Sequence, residues 1–336
     1  MNSDKTAIVT GYGGIGYEVA LALALHGDKV IVAGRDRAKG EAAVKKLLVA
    51  ATRSRSGQIQ HDREPAPHQS GQIQHDCESA SHQSGQTQHD CEPTPHPDIL
   101  FESLDLFDPD SIRSFAERIS ATHDRIDTIL CIAGVMMPDR LKRSSAGVEQ
   151  QFAVNYLGHY ELVGRLMPLL LKSDDPRVVT VSSVANRPVK FDLAAATATR
   201  GYDASLSYAL SKLCCLMYAV ELSRREPSVK ACCVHPGFAK TQLFSRSKGF
   251  TMRLLQGIFF VVPIIRQSAR AAAQPALFAA TSPDAVSGAF YGPLFTIAGP
   301  PRRALIPRRA RNPRLREELW DLSEQLTGVR YEGKSI

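Results

Sequence analysis

The feature that most constrains this chain lies in its first sixteen residues. An apolar run, Ala7-Ile8-Val9-Thr10, ends in Gly11-Tyr12-Gly13-Gly14-Ile15-Gly16 and passes at once into a helical pattern over 16–26, closed by Gly27. A strand turning that sharply into a helix needs backbone freedom at the turn. Gly11, Gly13 and Gly16 satisfy the spacing G-x-G-x-x-G. Its glycines serve a tight turn, a close backbone approach to a pyrophosphate, and close helix–strand packing. The helix N-terminus then faces the phosphates. Gly11, Gly13, Gly14, Ile15 and Gly16 are therefore a candidate dinucleotide cradle, with Gly13 expected to free the turn.

The rest of the chain repeats the same alternation. Strands are expected over 7–10, 30–33, 99–104, 126–133, 177–182 and 229–234, and helices over 16–26, 35–50, 109–122, 148–172 and 206–225. Repeated βα units predict an α/β fold of the Rossmann type: a doubly wound parallel sheet with helices on both faces. With 43% hydrophobic residues, the 336-residue chain can close one core, so 1–336 is read as a single domain.

One stretch breaks the pattern. Residues 57–98 are three copies of a fourteen-residue unit, GQIQHDREPAPHQS, GQIQHDCESASHQS and GQTQHDCEPTPHPD. The tract has no Phe, Tyr or Trp, and a segment with so little apolar surface to bury is expected to stay disordered. Its histidines recur every seven residues as a by-product of duplication, and no metal site is assigned. The tract joins a helix to the next strand, which puts it at the N-terminal edge of the sheet, whereas ligands of such sheets bind at the C-terminal edge.

Charge and cysteine usage narrow the class. The tract holds seven acids and one base, so the net charge of +7 comes from a strongly basic remainder. Residues 301–316 alone carry seven arginines and no acid. That run lacks interleaved aromatics and matches no nucleic-acid module. Seven cysteines without a C-x-x-C pair read as reduced thiols. No signal peptide is expected, and the longest apolar run, 257–265, is too short to span a bilayer. The expected location is cytoplasmic, with peripheral contact on an intracellular membrane as an option.

Two further groups carry chemistry. The second strand ends in Ala33-Gly34-Arg35-Asp36. A carboxylate at that strand end would hold the ribose hydroxyls of NAD and repel a 2′-phosphate. Gly34 stands there instead, followed by Arg35, whose guanidinium suits phosphate. NADP(H) is favoured over NAD(H); Asp36 either caps the next helix or takes the ribose role. Further on, Tyr208 and Lys212 lie four apart and share a helix face. An ammonium beside a phenol favours its ionised form, so the phenol can exchange a proton with a carbonyl or alcohol oxygen. Ser182 and Ser183 at a strand end and Asn155 one βα unit earlier complete the group.

With these residues in place the chain resembles the short-chain dehydrogenase/reductase superfamily, and within it the branch of retinol dehydrogenases, polyprenol dehydrogenases and WW-domain oxidoreductases. The supporting strings are AGRDRAKGE, LDLFDPDSIRSFA, AGVMM, FAVNYLGHY, RVVTVSSVA, SYALSKL, VHPGFAKTQL and ELWDLSEQLTG. They cover nearly all of the chain except 51–98 and part of the C-terminal third. The resemblance implies a catalytic set of Asn155 (holding a water in the proton relay), Ser183, Tyr208 as acid/base, and Lys212 on the nicotinamide ribose. It also implies that Asp105 lies beside the adenine, that Ala133 and Gly134 give a small surface against the cofactor, and that Pro236, Gly237 and Thr241 contact the nicotinamide carboxamide. It further implies homodimer formation through the helices that carry Asn155 and Tyr208. Two places depart from the family. The cradle is one spacer short of T-G-x-x-x-G-x-G, and the usual Asn-Asn-Ala-Gly is Cys131-Ile132-Ala133-Gly134, so the amides that tie that strand end are missing.

Residues 241–266 match a mobile lid in the resembled family. The apolar stretch 250–265 reads as a lid over a lipophilic substrate, as core packing, or, with the arginines of 301–316, as a surface resting on anionic membrane. Trp320 is expected to anchor the final helix. The expected function is hydride transfer between NADP(H) and a carbonyl or alcohol group of a lipophilic substrate. NAD-dependent alcohol oxidation and an NADP(H)-binding interaction protein without turnover are the alternatives.

Overall fold

The computed structural model describes residues 4–61, 97–186, 190–195, 202–237 and 267–331. The remainder of the repeat tract, Thr241 and the lid segment lie outside the described residues.

Eight strands form one sheet in the order β3-β2-β1-β4-β5-β6-β7-β8. They are β1 (Thr6–Thr10), β2 (Lys29–Gly34), β3 (Ile99–Ser103), β4 (Thr128–Cys131), β5 (Arg177–Val181), β6 (Lys230–Val234), β7 (Phe290–Pro293) and β8 (Pro301–Arg303). All pairings are parallel except the last, where β8 returns antiparallel on β7. The order reverses direction between β1 and β4, which is where a doubly wound sheet opens a crevice at its C-terminal edge.

The strands are apolar on both sides because both sides are covered. Along β1, Ile8 joins one buried cluster with Ile31 and Ile129, whereas its neighbours Ala7 and Val9 join the other. The helices are α1 (Ile15–His26), α2 (Arg37–His61), α3 (Pro109–Thr122), a short α4 (Gln150–Phe152), α5 (Gly158–Leu170), α6 (Ala204–Arg225), α7 (Ala269–Thr281), a four-residue α8 (Arg308–Arg311) and α9 (Pro313–Thr327). The Ile8 face packs against α3, α5 and α6, and the Val9 face against α1, α2 and α7.

The fold expectation holds, with three local corrections. Helix α2 does not stop near residue 50; it continues through His61, five residues into the repeat tract. The first repeat brings no proline until Pro65, so nothing before that point breaks the ladder. The single helix expected over 148–172 is interrupted by a π-helical turn, Ala153–Leu157, in which the Gly158 N–H reaches back five residues to the Ala153 carbonyl. Third, α7, β7 and β8 were not anticipated. The segment Phe290-Tyr291-Gly292-Pro293 becomes a strand by pairing with β6 on one side and β8 on the other.

Helix α9 lies across α5 and α6. Trp320 is 2% exposed and meets Tyr160 edge-on with ring centres 5.2 Å apart. The Tyr156 hydroxyl shares a 2.6 Å hydrogen bond with Ser323. Beyond α9, Tyr331 donates to the Tyr160 carbonyl at 2.7 Å and meets the Tyr218 hydroxyl at 2.7 Å. Buried Glu221 holds Arg224, Arg225 and Arg316. These ties fix the final helix as the anchor expected of Trp320.

Candidate active site

The cradle at the end of β1 takes its shape from three glycines, the first of which, Gly11, takes φ 92°. Gly14 adopts φ 52°, ψ −118° as it starts α1, a conformation open only to glycine. Gly16 passes so close to the turn that a β-carbon there would lie 2.2 Å from the Gly11 carbonyl oxygen. Gly13, in contrast, faces open space with nothing within 4 Å of such a carbon. The sequence assigns the freeing of the turn to Gly13, and the structure assigns it to Gly11 and Gly14. Gly13 is left bordering the space in front of the helix N-terminus, where a pyrophosphate fits.

At the end of β2 a β-carbon on Gly34 would lie 2.5 Å from the Tyr12 ring. Tyr12 in turn meets Phe101 edge-on at 6.2 Å. The position at which a carboxylate would grip the ribose is therefore filled by an aromatic ring. Asp36 accepts the Lys39 backbone N–H at 3.1 Å and pairs with the Lys39 ammonium, which holds its carboxyl below the usual range. It caps α2. Arg35 between them is exposed.

Opposite the cradle, β4 is followed by Ile132-Ala133-Gly134. Without side-chain amides at residues 131 and 132, the strand end is tied by Thr10, whose Oγ1 accepts the N–H groups of Ile132 at 2.9 Å and Ala133 at 3.0 Å. A β-carbon on Gly134 would lie 2.9 Å from Asn155 Oδ1 and 3.6 Å from Lys212 Nζ, so only a residue without a side chain fits where those two groups converge. The open turn, the bare Gly134 and the small shelf fit a dinucleotide. Gly11, Gly13, Gly14, Ile15, Gly16, Arg35, Ala133 and Gly134 would hold it.

Asn155 lies inside the π turn. Its Oδ1 accepts the Val135 N–H at 2.7 Å, and its Nδ2 donates to the Val135 carbonyl at 3.0 Å and to Ser211 Oγ at 2.9 Å. Ser211 donates to the Tyr208 carbonyl at 2.8 Å. Tyr208 is 7% exposed, and the Lys212 ammonium lies 6.0 Å from its ring centre while donating to the Val181 carbonyl at 2.9 Å. Of the two serines, Ser182 is buried between the Lys212 carbonyl and Asn186. Ser183 is half-buried at the strand end, and its Oγ accepts the Ala185 N–H at 3.3 Å. The structure thus brings Asn155, Tyr208, Lys212 and the Ser183 strand end to one crevice at the C-terminal edge of β4 and β5.

Three other expected residues are placed as follows. Asp105 Oδ1 accepts the Phe107 N–H at 3.0 Å in the turn before α3. Pro236 and Gly237 follow β6, and Gly237 takes φ 70°. Gln267, which the sequence reading missed, donates to the Pro236 carbonyl at 2.6 Å and the Ile297 carbonyl at 2.7 Å. Also missed was His159, one turn past Asn155, whose Nδ1 lies 3.1 Å from the Asn155 carbonyl oxygen. Its signal was the four-residue spacing. Among the described residues no group of side chains could hold a metal ion.

The family model for short chain dehydrogenases matches residues 72–249, more than half of the chain. The chain belongs to the short-chain dehydrogenase family. The matched span includes Asn155, Ser183, Tyr208 and Lys212 and leaves out the glycine turn. The dehydrogenase is 30% identical to retinol dehydrogenase 12 of Mus musculus over 333 residues, covering 98% of this chain and 88% of that one. It is also 30% identical to retinol dehydrogenase 13 of Homo sapiens, covering 97% and 85%. A crystal structure of an uncharacterised Mycobacterium paratuberculosis protein superposes with a TM-score of 0.70 at 28% identity, covering 98% and 95%. Salutaridine reductase from Papaver somniferum shares the fold, at 21% identity and a TM-score of 0.56, covering 85% and 99%. The dehydrogenase is therefore an NAD(P)-dependent oxidoreductase of alcohols or carbonyls in the retinol-dehydrogenase-like branch. No helix of the described residues is long and apolar enough to cross a membrane.

Proposed function

We propose that the dehydrogenase uses NADP(H) and transfers hydride to or from a carbonyl or alcohol group of a lipophilic substrate, with Tyr208 as the acid/base. The observation that carries this is the Tyr208–Lys212 pair at the C-terminal edge of the sheet, beside the bare Gly134. When bound, the nicotinamide supplies the hydride. In the reducing direction the Tyr208 hydroxyl gives its proton to the substrate oxygen as the C=O bond opens. Ser183 Oγ donates a hydrogen bond to the same oxygen. The Lys212 ammonium, 6.0 Å from the ring centre, places a positive charge near the oxygen that gives up the proton. In the oxidising direction the phenolate takes the alcohol proton back. Asn155 supports the site by clamping Val135 to Ser211 and so to the Tyr208 turn.

Preference for NADP(H) rests on the strand end: Tyr12 fills the carboxylate position, Asp36 is engaged as a cap, and Arg35 is exposed. A lipophilic substrate is supported by the names of the curated relatives, which are retinol dehydrogenases. Peripheral contact with anionic membrane is supported by Leu305 at 87% and Phe295 at 72% exposure, in a segment where Arg302, Arg303, Arg308, Arg309, Arg311 and Arg314 are all exposed. Co-flotation with phosphatidylserine vesicles, lost on Arg302→Glu with Arg303→Glu, tests the contact.

The proposal is tested with Tyr208→Phe, assayed by NADPH oxidation against a panel of lipophilic aldehydes. Turnover is expected to fall by about 100- to 10,000-fold while NADPH binding stays intact. Undiminished turnover would remove Tyr208 from the chemistry. Binding of NADPH by the wild type with no carbonyl reduced would favour an interaction protein instead.

A further inference from the structure

We infer that His159 is a positioning residue that braces the nicotinamide shelf against the turn carrying Asn155, doing here what the missing amides of residues 131 and 132 would do; the inference rests on the oxidoreductase reading above. The imidazole is 2% exposed and has one polar partner on each ring nitrogen. Nδ1 lies 3.1 Å from the Asn155 carbonyl oxygen and Nε2 lies 3.0 Å from Thr10 Oγ1.

The protons on this chain of contacts follow from counting. Thr10 Oγ1 accepts two backbone N–H groups, from Ile132 and Ala133, which uses both of its lone pairs. An N–H on His159 Nε2 would find no lone pair to point at. Nε2 must therefore be the acceptor, taking the Thr10 hydroxyl hydrogen in preference to the longer 3.2 Å contact with the Leu130 carbonyl. With Nε2 bare, the neutral ring carries its hydrogen on Nδ1 and donates it to the Asn155 carbonyl. Burial favours the same neutral form and lowers the imidazole to about 4, with the Lys212 ammonium adding to the effect.

The π turn makes the brace possible. It takes Asn155 out of the regular four-residue ladder, so its carbonyl can accept from two side chains, His159 and the Cys215 thiol at 3.1 Å. The result is a continuous path from Asn155 through His159 and Thr10 to the backbone of Ile132 and Ala133. At its Asn155 end the same residue grips Val135, so the strand end of β4 is held from both sides of Gly134. The shelf against which a nicotinamide would lie and the helix turn that supports Tyr208 are thus kept at a fixed separation. The Ile132 N–H is shared with the Leu130 carbonyl at 3.1 Å, a bond local to the strand end, and Cys131 and Ile132 have no side-chain amide, so the tie to Asn155 runs through Thr10 and His159.

The test uses the full-length chain with His159→Phe, Thr10→Val, the double variant and Thr10→Ser. NADPH dissociation constants, kcat and the carbonyl KM are measured for each. His159→Phe and Thr10→Val are each expected to weaken NADPH binding and lower kcat by about tenfold or more, with the carbonyl KM little changed, and the double variant to be no worse than the worse single one. Thr10→Ser, which keeps the hydroxyl, is expected within about threefold of wild type. A lowered melting temperature with NADPH affinity and kcat intact would overturn the inference, as would strictly additive losses. If His159→Phe fails to fold, ¹⁵N NMR of the wild-type imidazole decides: a neutral ring protonated on Nδ1 supports the brace, and one protonated on Nε2, or an imidazolium, overturns it. A wild type that reduces no carbonyl would sink the proposed function alone, since NADPH affinity and the tautomer still judge His159.

Discussion

The Tyr12 ring occupies the space in which residue 34 would carry a side chain: a β-carbon on Gly34 would lie 2.5 Å from it. This contact links the shortened cradle to cofactor choice. With the strand-end position closed and Asp36 tied to Lys39, the proposed use of NADP(H) gives exposed Arg35 the task of meeting the adenosine ribose. Arg35→Ala is expected to weaken NADPH binding by about 10- to 100-fold, the worth of a charged hydrogen bond, and NADH binding by less than about threefold. Gly34→Asp alone is expected to gain nothing for NADH, because the ring blocks it; Gly34→Asp with Tyr12→Ala is expected to bind NADH better than either single variant. Fluorescence titration with both cofactors checks each step. Equal losses for NADH and NADPH on Arg35→Ala would move the preference elsewhere.

Gly13 and Gly16 separate the needs of the fold from the needs of the ligand. Gly16→Ala drives a methyl into the Gly11 carbonyl and is expected to lower stability by about 2 kcal/mol or more. Gly13→Ala meets open space and is expected to leave the melting temperature of the free protein unchanged while weakening NADPH binding at least tenfold, because the methyl stands where the backbone must approach pyrophosphate. Unchanged NADPH affinity in Gly13→Ala would show that the cofactor does not pass that residue.

What the sequence shows and what it hides follow from the range of the interactions. The strands are legible because burial on both faces makes them apolar throughout. Helix α3 is legible because its start is local: Asp108 caps the Asp110 N–H at 3.0 Å, and Pro109 opens the first turn. Tyr208 and Lys212 are legible by their spacing on one helix. The π turn is hidden because the groups that draw off the Asn155 carbonyl include Cys215, 60 residues away. The tie at the end of β4 is hidden for the same reason, since Thr10 meets Ile132 and Ala133 across more than 120 positions. The turn-forming role falls on Gly11 and Gly14 and not on Gly13 because the glycines share one spacing motif and only backbone angles tell them apart.

The C-terminal segment fills the face that the resemblance assigns to a partner subunit. Val329 and Tyr331 lie so close to Gly164 that a β-carbon there would fall 2.5 Å and 2.8 Å from them, and Tyr331 bonds to both α5 and α6. The intact chain is expected to run as a monomer. Removal of residues 312–336, which takes away α9 with Trp320 as well as Tyr331, is expected to uncover Tyr160 and Tyr218 and to produce a concentration-dependent dimer in light scattering. Tyr331→Ala is expected to cost about 3 kcal/mol of stability. A dimer of the intact chain whose amount is indifferent to the truncation would show that pairing uses another surface.

Acid is expected to weaken the fold through His159. The imidazole is lowered to about 4 in the native chain, against about 6.5 when unfolded. Between these values the unfolded state binds a proton that the native state does not. The stability present above pH 6.5 is therefore lost as the pH falls toward 4, by at most about 1.4 kcal/mol per pH unit. Around the ring, the Lys212 ammonium opposes its protonation, and the Cys215 thiol stays neutral because burial raises it. The lowered carboxyls of Asp175 and Glu221 and the lowered His123 add losses of the same sign, so the wild-type curve alone does not isolate His159. Urea unfolding of wild type and His159→Gln at intervals from pH 7.5 to 4.5 does. The variant is expected to lose stability less steeply by about one proton over that range. Parallel curves would mean that His159 titrates alike in both states, and the Thr10 contact would then not hold the ring neutral.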